Sequence, residues 1–180
     1  MGLDMYLSYR RNLDGIPETI QRAMRKQAFI DTWPYLAEYY IKDNKLDAAI
    51  NEDIEAGKPY EEQIMYWRKA NAIHKFFVDN CANGVDDCEP VQVTIDALKD
   101  LVERCEEILK SVKSDPDDDE LIIDADIADE LLPAQSGFFF GSTDYDDWYI
   151  EDLKETVEAI KPIVEHPEFY TDPIIYEASW

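Results

Sequence analysis

The hydrophobic pattern of residues 61–81 organises the prediction of the fold. This stretch contains neither Gly nor Pro, follows Pro59 and ends shortly before Gly84, as a long helix would. On a helical projection Tyr66, Ile73 and Phe77 fall on one continuous apolar stripe, and further apolar side chains flank it. A helix that is apolar around most of its circumference lies in the interior of a domain. The pattern therefore predicts one long central helix over about 61–81.

Both ends of the chain show a weaker, two-residue alternation that is typical of strands. Residues 2–9 place Leu3, Met5 and Leu7 on one face, and the tail that ends at Trp180 alternates weakly. We expect these two segments to pair as a small sheet, to which residues 137–141 could add a strand.

Amphipathic or capped stretches predict five or six helices around the central one. They cover about 17–29, a short segment within 32–44, 46–56, 89–113, 121–132 and 144–165. No linker long enough to divide the chain is present. The predicted fold is therefore α+β, predominantly α-helical, and a single domain over residues 1–180.

The net charge is large and unevenly distributed along the chain, and it limits which partners the protein is expected to bind. The formal net charge is −24. Residues 1–80 carry 11 basic and 13 acidic side chains, and residues 81–180 carry 6 and 28. Such acidity disfavours direct binding to nucleic acid or to anionic membranes and favours attraction to basic proteins.

Cysteine usage and hydropathy indicate a reducing compartment. The three cysteines, Cys81, Cys88 and Cys105, are odd in number and form no CxxC pair. No run approaches 18 apolar residues, and the first residues lack the features of a secretion signal. We expect a cytoplasmic protein that does not enter the membrane.

Polar side chains within the predicted central helix are the first candidate for chemistry. An Arg fork and Lys charges suit phosphate, an indole offers a stacking plane, and Asn and His add directional hydrogen bonds. A nucleotide-like anion needs these groups. The candidate ligand-binding residues here are Trp67, Arg68, Lys69, Asn71, His74 and Lys75. The competing interpretation is that the cations pair with carboxylates, while Asn71 and His74 are satisfied polar residues of the core.

The loop before the last long helix is the second candidate. Backbone N–H groups of residues 141–143 at a helix N-terminus suit phosphate. The aspartates that follow would repel an anion and favour a capping role, although a base or ribose could still touch the loop. Its candidate ligand-binding residues are Phe139, Ser142, Thr143 and Tyr145. A metal held by Asp144, Asp146 and Asp147 is disfavoured because consecutive helical residues point in different directions.

The sequence contains no known enzyme motif that would argue against a binding role. The sequence has no GxSxG, HExxH, P-loop or GxGxxG motif, and its two histidines, His74 and His166, lack metal-ligand spacing. The sequence therefore favours a non-enzymatic protein, and it predicts neither a cofactor nor a metal.

Several blocks resemble a family of small acidic proteins encoded by phages and prophages. They are MGLDMYL at 1–7, YWRKANAIHKFFV at 66–78, DDC at 86–88, LLP at 131–133, GFFFGSTDYDDWYIEDLKET at 137–156 and SW at 179–180. The resemblance spans nearly the whole chain and implies a phage setting in the host cytosol, without implying a mechanism. Small accessory phage proteins often neutralise host defences, by binding a signal nucleotide or by mimicking DNA.

Two functional hypotheses follow, and a third class stays open. The protein captures a nucleotide-like small molecule beside the central helix, or its acidic half acts as a DNA mimic that blocks a basic host protein. In the second case the carboxylates of 86–130 and 144–158 should form regular bands. A purely structural partner role would instead be favoured by exposed Tyr or Trp patches. The location of Arg68 and Lys75, in a cleft or in internal ion pairs, discriminates the first two.

Overall fold

The computed structural model describes residues 2–114 and 121–180, which form an α+β fold that is predominantly helical, as predicted. The strands are β1 Asp4–Arg11, β2 Tyr60–Arg68, β3 Val91–Val93, β4 Lys113–Ser114, β5 Leu121–Ile122 and β6 Ile174–Ser179. The helices are α1 Glu18–Thr32, α2 Pro34–Lys42, α3 Leu46–Glu55, α4 Asn71–Cys81, α5 Ile95–Leu109, α6 Ala125–Leu131 and α7 Asp147–Glu165. A short 3₁₀ turn spans Pro167–Phe169.

The main sheet has the order β2-β1-β6-β3, and its three pairings are antiparallel. Leu7 of β1 lies opposite Met65 of β2 and Tyr176 of β6. The hydrophobic alternation of the sequence matches the burial of side chains in β1, since Leu3, Met5 and Leu7 are fully buried. The predicted pairing of the two terminal strands is confirmed.

The predicted central helix over 61–81 is wrong in its first half. Residues Tyr60–Arg68 form strand β2, which pairs along its length with β1. Lys69 then adopts a left-handed conformation, with φ of +63°, and helix α4 begins at Asn71. Strand β2 contacts both α1 and α7, so it needs apolar residues on both faces. A two-sided apolar strand and a buried helix look alike in sequence.

Smaller differences between the predicted and the observed elements occur near the ends of helices and strands. The predicted helix 89–113 begins with strand β3, and the predicted helix 121–132 begins with β5. Residues 138–140 form a turn, not a strand. The last long helix starts at Asp147 and is capped by the side chain of Asp146, which accepts from the backbone N–H groups of Trp148 and Tyr149. The capping interpretation is confirmed for Asp146, while the predicted helix start at 144 is wrong, since Asp144 lies before the helix and accepts from the Ser142 hydroxyl.

Aromatic rings join α4 to the sheet. The ring of Phe77 stacks on Tyr176 of β6 with centroids 4.1 Å apart. Trp67, only 2% exposed, packs against Phe77 and donates its indole N–H to the Thr156 hydroxyl of α7 at 2.8 Å. Helix α5 packs along α7 on the same side. The core therefore lies between the sheet, α4 and the α5–α7 pair.

Helix α2 buries little of its apolar surface. Tyr35 is 89% exposed and Tyr39 is 56% exposed, while Leu36 and Ile41 are about half exposed. Ala37 is the buried residue of this helix. Such a patch is typical of a surface that contacts another protein, which is the feature expected for the structural partner role.

None of the helices in residues 2–114 and 121–180 combines the length and apolar character needed to cross a bilayer.

The hydrogen bond between Trp67 and Thr156 gives a direct test of the core. We expect Thr156→Val to lower the free energy of unfolding by about 1–3 kcal/mol, because it leaves a buried indole N–H without an acceptor. Urea unfolding followed by fluorescence measures the change. The exposed Thr143 provides the control, since Thr143→Val should leave stability unchanged within about 0.5 kcal/mol. Equal stability of wild type and Thr156→Val would contradict the assignment.

Candidate functional site

A cavity of about 370 Å³ opens where the end of β2 and the start of α4 face the start of α7. It has a positive edge, an apolar floor and an acidic edge. The lining residues are Arg68, Lys69, Ala70, Asn71, Ala72, Ile73, Ala134, Gly141, Ser142, Asp144, Asp146, Trp148, Tyr149, Asp152 and Leu153.

The turn between β2 and α4 places the two cations of this cavity. The backbone N–H of Lys69 donates to the carbonyl of Leu3 at 2.8 Å, and the Lys69 carbonyl accepts from the N–H of Asn71 at 2.8 Å. A left-handed conformation at a non-glycine residue costs about 1–2 kcal/mol, so these contacts must hold it. Gly141 lies directly against the Lys69 side chain, because a Cβ at position 141 would lie 3.1 Å from the Lys69 Cβ.

Arg68 and Lys69 differ electrostatically from most basic residues of the chain. Of the 17 Lys and Arg side chains, 12 have a carboxylate oxygen of a described residue within 4.0 Å. Within the described part of the chain, neither Arg68 nor Lys69 has one. Both side chains are exposed. Two adjacent basic residues without a carboxylate partner among the described residues therefore line the cavity of a protein of strongly negative net charge.

Asn71 fixes the loop that forms the opposite wall. Its amide nitrogen donates to the carbonyls of Phe140 and Ser142 at 3.1 and 2.7 Å, and its amide oxygen accepts from the N–H of Gln135 at 2.9 Å. These three bonds use both amide hydrogens and the oxygen. Asn71 lines the cavity, as the sequence predicted, but its role is to hold the loop in place.

The acidic edge contains three aspartates in different situations. Asp146 caps α7, and Asp144 accepts a hydrogen bond from the Ser142 hydroxyl at 2.9 Å. The side chain of Asp152 makes no hydrogen bond or ion pair with any residue of 2–114 or 121–180. Burial, and then the nearby charges of Glu155, Asp146 and Glu151, raise the pKa of Asp152 to about 7.

The cations are not paired with Asp152. The charges that raise the pKa of Asp152 are those of carboxylates, and no ion pair within 4.0 Å joins Asp152 to Arg68 or Lys69. The lining also has an apolar part, formed partly by the buried Ile73 and Leu153. The cavity thus combines two basic residues, a carboxyl without a hydrogen-bond partner among the described residues, and an apolar surface.

Trp148 supplies a flat wall at the rim. Its side chain is 81% exposed although it belongs to the first turn of α7. Asp152 follows it by four residues, so both lie on the same face of the helix, about 6 Å apart along its axis. An exposed indole beside a cavity is available for stacking on a planar ligand.

Three of the predicted ligand-binding residues lie elsewhere. The ring of Trp67 is buried in the core and cannot reach a ligand. His74 is 1% exposed, and its Nδ1 lies 2.7 Å from the Tyr176 hydroxyl. Its Nε2 lies 3.1 Å from an Asp86 carboxylate oxygen, but the angles do not allow a hydrogen bond. Lys75 pairs with Asp79 at 2.6 Å, one turn along α4. The strand in place of a helix redirects the side chain of Trp67. His74 and Lys75 lie within helix α4, where His74 is buried in the core and Lys75 pairs with a carboxylate of the same helix.

The candidates of the 137–146 loop are divided as well. Ser142 lines the cavity, whereas Phe139, Thr143 and Tyr145 do not. Phe139 contributes its backbone carbonyl, which accepts from the N–H of Leu3 at 3.0 Å. The Tyr145 hydroxyl donates to Asp129 at 2.9 Å. The structure therefore brings together Arg68, Lys69, Asn71 and Ser142.

Sequence reasoning missed Trp148 and Asp152 as site residues. Their four-residue spacing within the predicted helix 144–165 was visible and places them on one face. What the sequence could not show is that this face lies opposite the β2–α4 turn. Among the described residues, no group of three or more His, Cys, Asp or Glu side chains is arranged to hold a metal ion.

Comparisons with protein-family models, with curated proteins and with solved structures found no match. Functional interpretation therefore rests on the geometry of the chain itself.

The raised pKa of Asp152 makes a prediction about stability. A carboxyl that holds its proton more tightly when folded makes the free energy of unfolding fall as the pH rises from about 4 to about 7. Asp152→Asn removes this penalty. We expect its stability gain over wild type to grow by about 2 kcal/mol between pH 5 and pH 8.

Urea unfolding at the two pH values measures this difference. Glu158→Gln, an exposed position on the same helix, is the matched control and should show no such growth. A stability difference between Asp152→Asn and wild type that is the same at both pH values would show that Asp152 titrates normally.

Proposed function

We propose that the protein is a non-enzymatic binding protein that captures a nucleotide-like anionic small molecule in the cavity beside Arg68 and Lys69. One observation carries the proposal: two adjacent cations line a cavity without a carboxylate within 4.0 Å in the described part of the chain. In a chain of net charge −24, acidic partners are abundant. Cations left unpaired at a cavity are suited to an external anion.

The chemistry of the cavity fits a phosphate joined to a planar group. A guanidinium binds two phosphate oxygens at once, and a neighbouring ammonium adds a point charge. Trp148 offers a stacking plane at the rim, and the floor between is apolar. The volume of about 370 Å³ lies within the range of small-molecule sites, roughly 300–1,000 Å³.

The biological setting of this proposal comes from the sequence resemblance to small acidic phage and prophage proteins. In that setting, capture of a signal nucleotide in the host cytosol would suppress a defence response. Sequestration requires binding without turnover.

Removing the guanidinium tests the anion site. We expect Arg68→Ala to weaken nucleotide binding by roughly 10- to 100-fold, because a hydrogen bond to a charged group contributes about 1.5–3 kcal/mol. Isothermal titration calorimetry with a panel of mononucleotides, cyclic nucleotides and ADP-ribose measures the affinity. Lys69→Ala should weaken binding in the same direction.

Lys75→Ala is the matched control, because it removes a positive charge seven residues away that is already paired with Asp79. Its affinity should equal that of wild type. Equal losses in Lys75→Ala and Arg68→Ala would indicate an effect of net charge alone, and the proposal would be wrong.

A second candidate function is a DNA mimic that blocks a basic host protein, and one observation favours it. Helix α7 exposes Glu151, Glu155 and Glu158 at three- and four-residue steps, which places them along one side of the helix. The internal pairing of Lys75 also agrees with this function. Part of the first acidic band proposed from the sequence, residues 115–120, lies outside the described residues.

Charge reversal on this helix distinguishes the two functions. If the protein is a mimic, Glu151→Lys with Glu155→Lys should abolish capture of a basic DNA-binding protein at 50 mM salt. If it is a nucleotide binder, the same variant should still bind nucleotide, and Arg68→Ala in that background should still weaken the binding. Pull-down and calorimetry on the same preparation separate the outcomes.

A further inference from the structure

The carboxyl of Asp152 requires hydrogen-bond donors from any ligand that fills the cavity. Its carboxyl lines the cavity and makes no hydrogen bond with the described residues, so water must now satisfy its oxygens. A ligand that displaces this water without offering donors would strand a buried acceptor, at a cost of about 1–3 kcal/mol or more. The ligand must therefore bring hydrogen-bond donors to this end of the cavity.

The other acidic side chains of the cavity impose a smaller demand, because one oxygen of each already accepts a hydrogen bond. Asp146 already accepts from two backbone N–H groups, and Asp144 accepts from Ser142. A carboxylate has two oxygens side by side, so its best complement is a pair of parallel N–H donors. Asp152 is thus a specificity element for a part of the ligand other than the one that binds Arg68.

Trp148 restricts the shape of that end. It lies one helical turn before Asp152 on the same face of α7. A planar ring stacked on the indole would therefore present its edge towards the Asp152 carboxyl. The ligand then has an anion at one end and a flat ring with donors on its edge at the other.

We infer that the ligand is a purine nucleotide whose base presents two adjacent N–H donors to Asp152, as guanine does, while its phosphate binds Arg68 and Lys69. This inference rests on the proposed function and adds the identity of the base to it. Guanine presents N1–H and the 2-amino group side by side. Hypoxanthine lacks the amino group, and adenine presents an acceptor, N1, in the place of the first donor.

Three monophosphates that differ only in the base test this inference on the full chain. Calorimetry at pH 8, where most of Asp152 is ionised, should rank GMP above IMP and IMP above AMP. Each charge-assisted hydrogen bond lost should lower affinity by roughly 10-fold or more. Asp152→Asn replaces one acceptor with a donor, and an amide pairs with the donor–acceptor edge of adenine. This variant should bind AMP at least as tightly as GMP.

Controls separate the base site from the anion site. Glu158→Gln should keep the GMP preference of wild type, and circular dichroism should show that Asp152→Asn is folded. Inorganic pyrophosphate, which has no base, should protect wild type against thermal unfolding and should not protect Arg68→Ala.

Equal affinities for GMP and AMP in wild type, or a GMP preference that survives Asp152→Asn, would overturn the inference. If Arg68→Ala still weakens all three nucleotides, the proposed anion site stands without the base site. If no purine nucleotide binds while pyrophosphate protects only wild type, the anion site again stands alone. If pyrophosphate also fails, both ideas are wrong.

Discussion

The left-handed turn at Lys69 is the constraint on which the site depends. It ends β2, starts α4 and turns two cations towards a cavity. The hydrogen bond from Lys69 to Leu3 ties this turn to the first strand, and contact with Gly141 ties it to the loop before α7. Asn71 then fixes that loop with three hydrogen bonds of its own. Segments far apart in the chain converge on one position, so the cavity is a product of the tertiary fold.

The turn also differs from the rest of the chain in how its basic side chains are paired. Carboxylates outnumber basic groups by 41 to 17, and most basic side chains are paired with them. Exposed ion pairs contribute little stability, about 0–1 kcal/mol each, so pairing is chiefly a matter of local geometry. At Lys69 the geometry instead leaves two basic residues of the cavity lining without a carboxylate within 4.0 Å in the described part of the chain. The cavity therefore combines unpaired basic residues with acidic and apolar ones in one lining.

The sequence predicted strands and helices correctly where a single hydrophobic periodicity dominated the segment. Alternation identified the terminal strands, and amphipathic spacing identified α5 and α7. It failed at residues 60–68, because Ile64 to Trp67 are four consecutive apolar residues, a run that a strand and a buried helix can share. Pairing with β1 decides the structure there, and that interaction joins residues about 60 positions apart. The same error placed Trp67 in the site, although it lies in the core. Arg68 and Lys69, predicted to bind a ligand, do line the cavity, whereas Lys75, selected for the same reason, pairs with Asp79. Charge alone therefore did not tell which basic side chains stay unpaired.

The central claim is that Arg68 and Lys69 are available to an external anion. A crystal structure of the full chain grown at pH 8 with excess GMP tests it most directly. We expect phosphate oxygens within about 3 Å of the Arg68 guanidinium and near the Lys69 ammonium, with the base against Trp148. Cations bonded to aspartates or glutamates of the same chain, with no nucleotide in the cavity, would contradict it.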